Sequence, residues 1–533
     1  MMDTYDYVIV GAGSAGCVLA HRLSAEPGRR VLLLEAGGPD RHPLIHMPRA
    51  LVKIMGNPRY IWPFMTEPES ASNAAGEFWA RGRTLGGSSS INGMMYVRGQ
   101  AADYAALAAC ASEDWNWDHI GAAYKALENH ELGAAPTRGD RGPLHISLPK
   151  SRAPLTDNLV EACTAMGMRV QEDVNDPADI ERVGYMPCTV FEGRRQSAAV
   201  AFLKPVLKRE NLTVIEGFLA DRVLFDGRRA IGVSGAKEGQ ALTFCARSEV
   251  LISAGAIGSP AILQRSGIGP AAHLDKLAIP IVQDSPGVGG NLREHRGIVM
   301  QWSVPAELSE NREYRGLRLV ANVIRYFAFR EGPMAKPAFD VGAWFKSRSD
   351  CARPDGQFLL SPYSFDYGSA SPATERSGGI ICCLYNLRPE SKGTVLIRSP
   401  NPVELPRIQP NYGSAQSDLD LMVDLVRYAR QLVQQPPLAD LIVRETRPGA
   451  EYQTDDQIRE AHRKFGYTNY HACGTCRMGK DAAAVLDPAL KVRGVEALRV
   501  VDASIFPFML AGNINAPVMA TAWRSADLIL RDA

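Results

Sequence analysis

Apolar residues in this chain fall into short unbroken runs and into runs with helical spacing. Val8, Ile9 and Val10 close the run Tyr5 to Val10, and Val31 to Leu34 form a second run. Both read as strands buried on two faces of a parallel sheet. Leu212 to Ile215 and Glu249 to Gly255 are further core strands. Ala220 to Asp226 and Ile231 to Gly235 read as paired strands around the Asp226-Gly227 turn. Cys17, Val18, Leu19, Ala20 and Leu23 predict a helix between the first two strands. Asp103 to Glu131, Leu155 to Met166, Leu419 to Leu432 and Met519 to Leu530 also carry helical patterns. Arg194 to Leu207 reads as a helix that stops near Pro205, and Val320 to Phe329 as another. Gln357 to Leu360, Ile380 to Tyr385 and part of Gly393 to Arg398 are strand-like.

The loop after the first strand changes the picture. Gly11, Gly13 and Gly16 have the spacing of a dinucleotide fingerprint, with Ser14 and Ala15 between them. Gly11 permits the tight turn, Gly13 the close approach of a pyrophosphate, and Gly16 helix–strand packing. The helix N-terminus presents free N–H groups and a partial positive charge to the phosphates. Glu35 stands 19 residues past Gly16, where a carboxylate can accept from ribose hydroxyls. Strand, loop, helix, strand and acid arrive in order, which predicts a dinucleotide-binding fold. From Ala36 to Pro63 the chain leaves the sheet in loops rich in glycine and proline. Trp62, Phe64 and Trp79 are candidates to stack near a ring cofactor. A second glycine-rich stretch, Arg81 to Gly99, contains Gly86 and Gly87 followed by three serines. Bare backbone donors and small side chains there suit a phosphate or the edge of a flavin.

At 533 residues the chain is too long for one core and predicts two domains. It is 46% hydrophobic and 22% charged, as expected of a soluble globular protein. A net charge of +1 implies no nucleic-acid or other polyanion partner. The ten scattered cysteines do not form a small disulfide scaffold. No apolar run reaches the roughly 18 residues of a membrane span. The acidic N-terminus leads directly into the first strand, leaving no room for a signal peptide, so a cytoplasmic location is expected. Cys473 and Cys476 have CxxC spacing, but no second pair completes a metal site, and no metal is expected.

Several stretches together resemble the glucose–methanol–choline family of FAD-dependent alcohol oxidoreductases. They are the N-terminal fingerprint, Gly82 to Gly99, Gly255 to Gly269, Val288 to His295 and Val501 to Ile505. The chain looks closest to the bacterial choline- and sorbose-dehydrogenase branch, on His42 to Pro48 and Glu445 to Gly449. The resemblance implies an α/β FAD-binding Rossmann-like domain plus an α+β substrate domain with a mostly antiparallel sheet of six strands. Residues 1–155, 195–300 and 461–533 would form the FAD domain, and 156–194 and 301–460 the substrate domain. Besides the fingerprint residues, the implied cofactor positions include Ala36, Trp62, Arg83, Leu85, Gly86, Gly87, Ser90, Asn92, Gly93 and Met94. Ala220 would flank the adenine. Ala254, Gly255, Asp502, Ala503, Asn515, Ala516 and Pro517 would complete the site.

His471, in Tyr470 to Gly479, would be the catalytic base. Asn515, in Gly512 to Pro517, would orient the alcohol while hydride passes to the flavin. The helix that follows would direct its dipole at the flavin carbonyl where reduction builds negative charge. Some relatives attach FAD to a histidine at the position held here by Ile91, so FAD should be noncovalent. The expected partners are a small-molecule alcohol and an acceptor, O₂ or a quinone. The branch favours a dehydrogenase. The alternatives are an O₂-using oxidase of aromatic or heteroaromatic primary alcohols and a flavin-dependent lyase or decarboxylase. Phe327, Phe329, Phe339, Trp344, Phe358, Tyr363 and Tyr367 favour an aromatic substrate if several line the pocket, and leave a polyol open if they are core.

Overall fold

The computed structural model describes residues 4–69, 75–150, 152–367 and 373–532. Its first sheet is built around Thr4–Val10, which pairs in parallel with Val31–Glu35 on one side and Gln240–Ile252 on the other. Leu212–Glu216 extends the sheet beyond Val31–Glu35, and Leu498–Val500 joins Gln240–Ile252. Every residue of Val31–Glu35 is buried, as a strand covered on both faces requires. Gln240–Ile252 changes partner along its length. Its first half pairs antiparallel with Arg229–Lys237, which pairs in turn with Phe218–Asp226. The helix Ser14–Leu23 packs on the C-terminal helix Asn515–Arg531, with Arg22 and Asp527 paired at 2.7 Å. The C-terminal helix begins beside the first glycine loop, where the Ser14 hydroxyl donates to Asn515 at 2.7 Å.

The second sheet runs in the order Arg444–Arg447, Arg296–Val304, Gly378–Asn386, Gly356–Ser361, Val341–Phe345, Arg182–Tyr185 and Arg169–Val170. Gly466–Thr468 also pairs with Arg296–Val304. All pairings are antiparallel except that of Arg169–Val170 with Arg182–Tyr185. The sheet thus has eight strands where six are expected. Alternation sorts its residues. Ile298, Met300, Trp302, Ile380, Cys382 and Leu384 share a core with the helices Pro154–Ala165, Gln416–Leu432 and Asp455–Phe465. Val299, Leu359, Ile381 and Cys383 face the other way.

The expected division at 300/301 falls inside the strand Arg296–Val304, and Gly466–Thr468 pairs in the second sheet although 461–533 is expected in the FAD domain. Asp103 to Glu131 is not one helix but two, Ala101–Cys110 and Trp117–Leu127. Asn116 starts the second by accepting from the His119 N–H, a cap that ends the register of the first. Arg194 to Leu207 opens as a short strand and then becomes a π-helix, Ala199–Leu203, and a 3₁₀ turn, Lys204–Val206. No helix among the described residues is long and apolar enough to cross a membrane.

Candidate active site

A cavity of about 640 Å³ is lined by residues of both sheets. Gly11, Gly13, Ser14 and Ala15 line it at the N-terminus of the helix Ser14–Leu23. Gly11 has φ +102°, and a Cβ there would lie 2.5 Å from the Ser253 carbonyl oxygen. A Cβ on Gly13 would meet no protein atom within 4 Å, which leaves the cavity side of the loop open for a phosphate. Gly16 does not line the cavity. A Cβ on it would lie 1.9 Å from the Gly11 carbonyl oxygen, so it serves helix–strand packing.

Glu35, Ala36 and Ala220 also line the cavity. Glu35 accepts from the Ala12 N–H at 2.9 Å and the Gly37 N–H at 2.8 Å, and burial pushes its pKa up to about 7. Each carboxylate oxygen keeps a lone pair for a ribose hydroxyl. Ala254, Gly255, Asp502 and Ala503 are lining residues too. Asp502 accepts from the Gly255 N–H at 2.8 Å, the Ser259 hydroxyl at 2.5 Å and the Ser504 N–H at 2.8 Å. Its carboxylate therefore fixes the start of the helix Gly255–Arg265 beside the cavity.

Trp62, Gly87, Asn92, Gly93 and Met94 complete the expected lining, whereas Arg83, Leu85, Gly86, Ser90, Ala516 and Pro517 do not face the cavity. Arg83 stacks 4.6 Å from the Trp62 ring centroid. The Gly86 N–H donates to the Ala12 carbonyl at 2.8 Å, and the Ser90 hydroxyl to the Leu85 carbonyl at 2.7 Å. The Gly86–Ala12 bond braces the second glycine loop against the first, and the Ser90–Leu85 bond closes the second loop on itself. A Cβ on Gly87 would lie 2.7 Å from Gly13 Cα, so the two loops approach as closely as glycine allows. Phe64 lines the cavity, but Trp79 is buried beside Tyr412 and donates to Glu77 at 3.1 Å.

His471 is buried and lines the same cavity. Its Nδ1 lies 2.9 Å from His295 Nδ1, and His295 Nε2 lies 3.0 Å from the Leu387 carbonyl oxygen. A carbonyl only accepts, so His295 carries its proton on Nε2 and offers a bare Nδ1. His471 must then carry its proton on Nδ1, which leaves its Nε2 unprotonated and able to accept. The Asn513 side-chain amide reaches that Nε2 at 3.0 Å. Burial, then His295 and Arg81, hold His471 well below the usual histidine pKa, and burial lowers His295 to about 4. Both imidazoles are therefore neutral at physiological pH. Glu294 accepts from the His471 backbone N–H at 2.8 Å and faces Arg81 at 3.4 Å.

Asn515, expected to orient the alcohol, lines the cavity but does not reach His471. The Asn515 side chain accepts from the Ser14 hydroxyl at 2.7 Å, which ties it to the first glycine loop. Asn513, two residues earlier and just before the helix Asn515–Arg531, is the amide at His471. His295 and Glu294 were also missed, although both lie in the stretch Val288 to His295 that carries the family resemblance.

Cys473 and Cys476 are fully buried, with their thiol pKa values raised by burial. No cluster of metal-ligating side chains occurs among the described residues. Of the seven aromatics singled out in the sequence, Phe339 and Tyr367 line the cavity. Phe358 packs in the core against Phe345 and Tyr428. Trp344 and Tyr363 are buried away from the cavity, and Phe327 and Phe329 are exposed on the helix Gly316–Phe329. Phe365, Phe465, Tyr467 and Tyr470 supply aromatic wall that the sequence did not single out.

The models of the N- and C-terminal regions of GMC oxidoreductases match residues 5–296 and 389–522. The chain is 40% identical to the mitochondrial choline dehydrogenase of Homo sapiens, over 99% of this chain and 90% of that one. It is 39% identical to an alcohol dehydrogenase [acceptor] of Pseudomonas putida, over 99% and 96% of the two chains. Among solved structures, pyridoxine 4-oxidase from Mesorbium loti superposes with a TM-score of 0.88 at 30% identity, covering 98% of each chain.

Proposed function

The chain belongs to the GMC oxidoreductase family and is an FAD-dependent enzyme that oxidises an alcohol, and from that premise we propose that it is an oxidase of aromatic or heteroaromatic primary alcohols with dioxygen as acceptor. The observation that carries this reading is the unprotonated Nε2 of His471, beside the Asn513 amide, at a cavity whose substrate end is apolar and aromatic.

The residues present fit FAD. The first glycine loop and the helix N-terminus behind it would hold the pyrophosphate, and Glu35 the ribose. Ala220 would border the adenine, and Asn92 to Met94 with Ala503 the ring system. Ile91 lines the cavity with an alkyl side chain, so we propose that FAD is bound without a covalent link. When bound, FAD supplies the two-electron chemistry and takes the hydrogen that leaves the carbinol carbon.

His471 Nε2 accepts the hydroxyl proton. The Asn513 amide donates to the alcohol oxygen and steadies the negative charge that builds there. The Leu387 carbonyl and His295 hold His471 in the one tautomer that can act as base. Glu294 fixes the backbone that carries it.

The substrate end of the cavity separates this chain from enzymes acting on a quaternary ammonium alcohol. Its walls are Met95, Val299, Leu359, Ile381 and the aromatics, and its charged residue is Arg447, a cation. The acidic lining residues are Glu35, Asp502 and Glu404, none of them on the substrate sheet. A fixed cation repels a cationic substrate, while aromatic walls favour a flat neutral ring. A dehydrogenase is the expectation from the choline and sorbose branch. The likeness to pyridoxine 4-oxidase over the whole chain supports the oxidase, as do apolar walls that favour a small apolar oxidant.

The test is anaerobic flavin reduction by benzylic, pyridine, furanic, aliphatic and sugar alcohols. It is followed by reoxidation of the reduced enzyme with O₂ and with a quinone analogue. The reading requires fastest reduction by the aromatic alcohols and reoxidation by O₂ at least as fast as turnover. Reoxidation by the quinone alone would return the protein to the dehydrogenases.

A further inference from the structure

Three arginines line the cavity, and two of them are paired. Arg81 faces Glu294 at 3.4 Å, and Arg265 faces Asp221 at 3.3 Å. The third is Arg447, the last residue of the strand Arg444–Arg447, which lies in register with Gln301 of the neighbouring strand. Among the described residues its side chain has no ion pair, and its Nε is buried without a hydrogen-bond partner. Two residues earlier in the same strand the opposite arrangement occurs: Glu445 accepts from Arg430 at 2.9 Å through both of its oxygens.

Two aromatic rings hold the Arg447 guanidinium. Its carbon lies 4.1 Å from the Tyr367 centroid and 4.7 Å from that of Phe465, and both rings line the cavity. Stacking fixes the plane of the guanidinium and compensates part of its charge, but it satisfies none of the N–H donors. A partly buried cation with unused donors is a cost to the fold unless something completes it. The planar fork matches a carboxylate, which accepts two parallel N–H bonds.

We propose that Arg447 is a substrate-binding residue and that the favoured substrates are hydroxymethyl aromatic carboxylates, with the carboxylate on Arg447 and the carbinol at His471. This rests on the reading of the cavity as an aromatic-alcohol site. The ring of such a substrate lies along the same apolar wall that Phe339 and Ile381 provide, and the anion replaces the carboxylate partner that Arg447 lacks.

The test uses the FAD-loaded enzyme and two neutral–anionic pairs. Calorimetry compares binding of benzoate and benzamide. Steady-state kinetics compare 3- and 4-(hydroxymethyl)benzoate with the corresponding amides. A charge-assisted bond of this kind favours the carboxylates roughly tenfold to a hundredfold. In Arg447→Met, which keeps the stem between the two rings, the preference collapses toward unity through KM. In Arg447→Lys part of it remains. The same preference in wild type and Arg447→Met, or benzoate binding no tighter than benzamide in wild type, overturns the proposal. The wild-type comparison decides alone if the methionine variant does not fold. Benzoate binding through Arg447 with no oxidation of any aromatic alcohol would leave this assignment standing and remove the proposed reaction. Oxidation of benzyl alcohol with no carboxylate preference would do the reverse.

Discussion

Replacing Asn513 by alanine removes the amide that stands 3.0 Å from His471 Nε2. Nothing else within hydrogen-bond distance of that nitrogen replaces it among the described residues. The amide has two N–H groups, so it can serve both the imidazole and an alcohol oxygen. Losing one preorganised donor to a developing negative charge costs about 10²–10³ in the chemical step, or roughly 3–4 kcal/mol. The effect belongs to kcat and to the limiting rate of flavin reduction, because the charge develops only as the reaction proceeds.

Asn515→Ala is the matched control. Asn515 bonds to Ser14 at 2.7 Å, on the loop that would hold the pyrophosphate. A neutral side-chain hydrogen bond contributes about 1 kcal/mol net. That variant should therefore lose FAD more readily, by roughly fivefold, while its FAD-loaded fraction keeps a reduction rate within about threefold of wild type. The assay is anaerobic stopped-flow reduction of each variant, normalised to bound flavin. Equal slowing in the two variants, or slower chemistry in Asn515→Ala than in Asn513→Ala, would falsify the assignment of Asn513.

Other outcomes follow from the same geometry. His471→Ala should slow flavin reduction by about 10²–10⁴-fold in a folded, FAD-loaded protein, and near-normal reduction would remove its role as base. Acid precipitation should release FAD to the supernatant, because Ile91 cannot bond to it; flavin retained on the denatured chain, with trapping excluded, contradicts this. No disulfide joins two cysteines among the described residues, so thiol titration in denaturant without reductant should find most of the ten, and several disulfides would be the contrary result. Burial raises the Glu294 pKa to about 7, so the folded protein keeps a proton that the unfolded chain releases near pH 4.3. Its contribution is present below about pH 4.3 and is lost as pH rises to about 7. Denaturation of wild type and Glu294→Gln over that range should show a smaller fall in the glutamine variant, and parallel profiles would count against it.

The parts of the fold legible in sequence are those fixed by neighbours along the chain. Val8 to Val10, the three glycines and the apolar helix face lie within one unbroken stretch ending at Leu23, and each requires the next. The two helices within 103–131 were fused because their apolar spacing continues across the break. The break is set by the Asn116 cap and by Trp115, whose indole donates to the Pro488 carbonyl at 2.8 Å. Only the first of these is local. The histidine relay is less legible still. His295 lies 176 residues from His471, and no period or spacing connects them. Asn513 and Asn515 lie in one polar turn, and the choice between them depends on where the following helix begins.

The cavity wall was hidden for a different reason. Ile380 to Tyr385 has no polar alternation, because one face of the strand packs against helices and the other faces the cavity. Both faces demand apolar residues, so a binding wall and a core look alike in sequence. Alternation becomes visible only when register is known: Ile381 and Cys383 face the cavity while Ile380 and Cys382 do not. The same ambiguity covers the aromatics, since a ring costs nothing extra in either place. A charged side chain breaks the tie. A cation buried in a core without an acid needs acceptors there, as Arg195 finds in the carbonyls of Ile45, Ser89 and Asn92, whereas at the wall of a site the missing partner can arrive with the substrate. That asymmetry makes Arg447 more informative about the substrate than the aromatic residues around it.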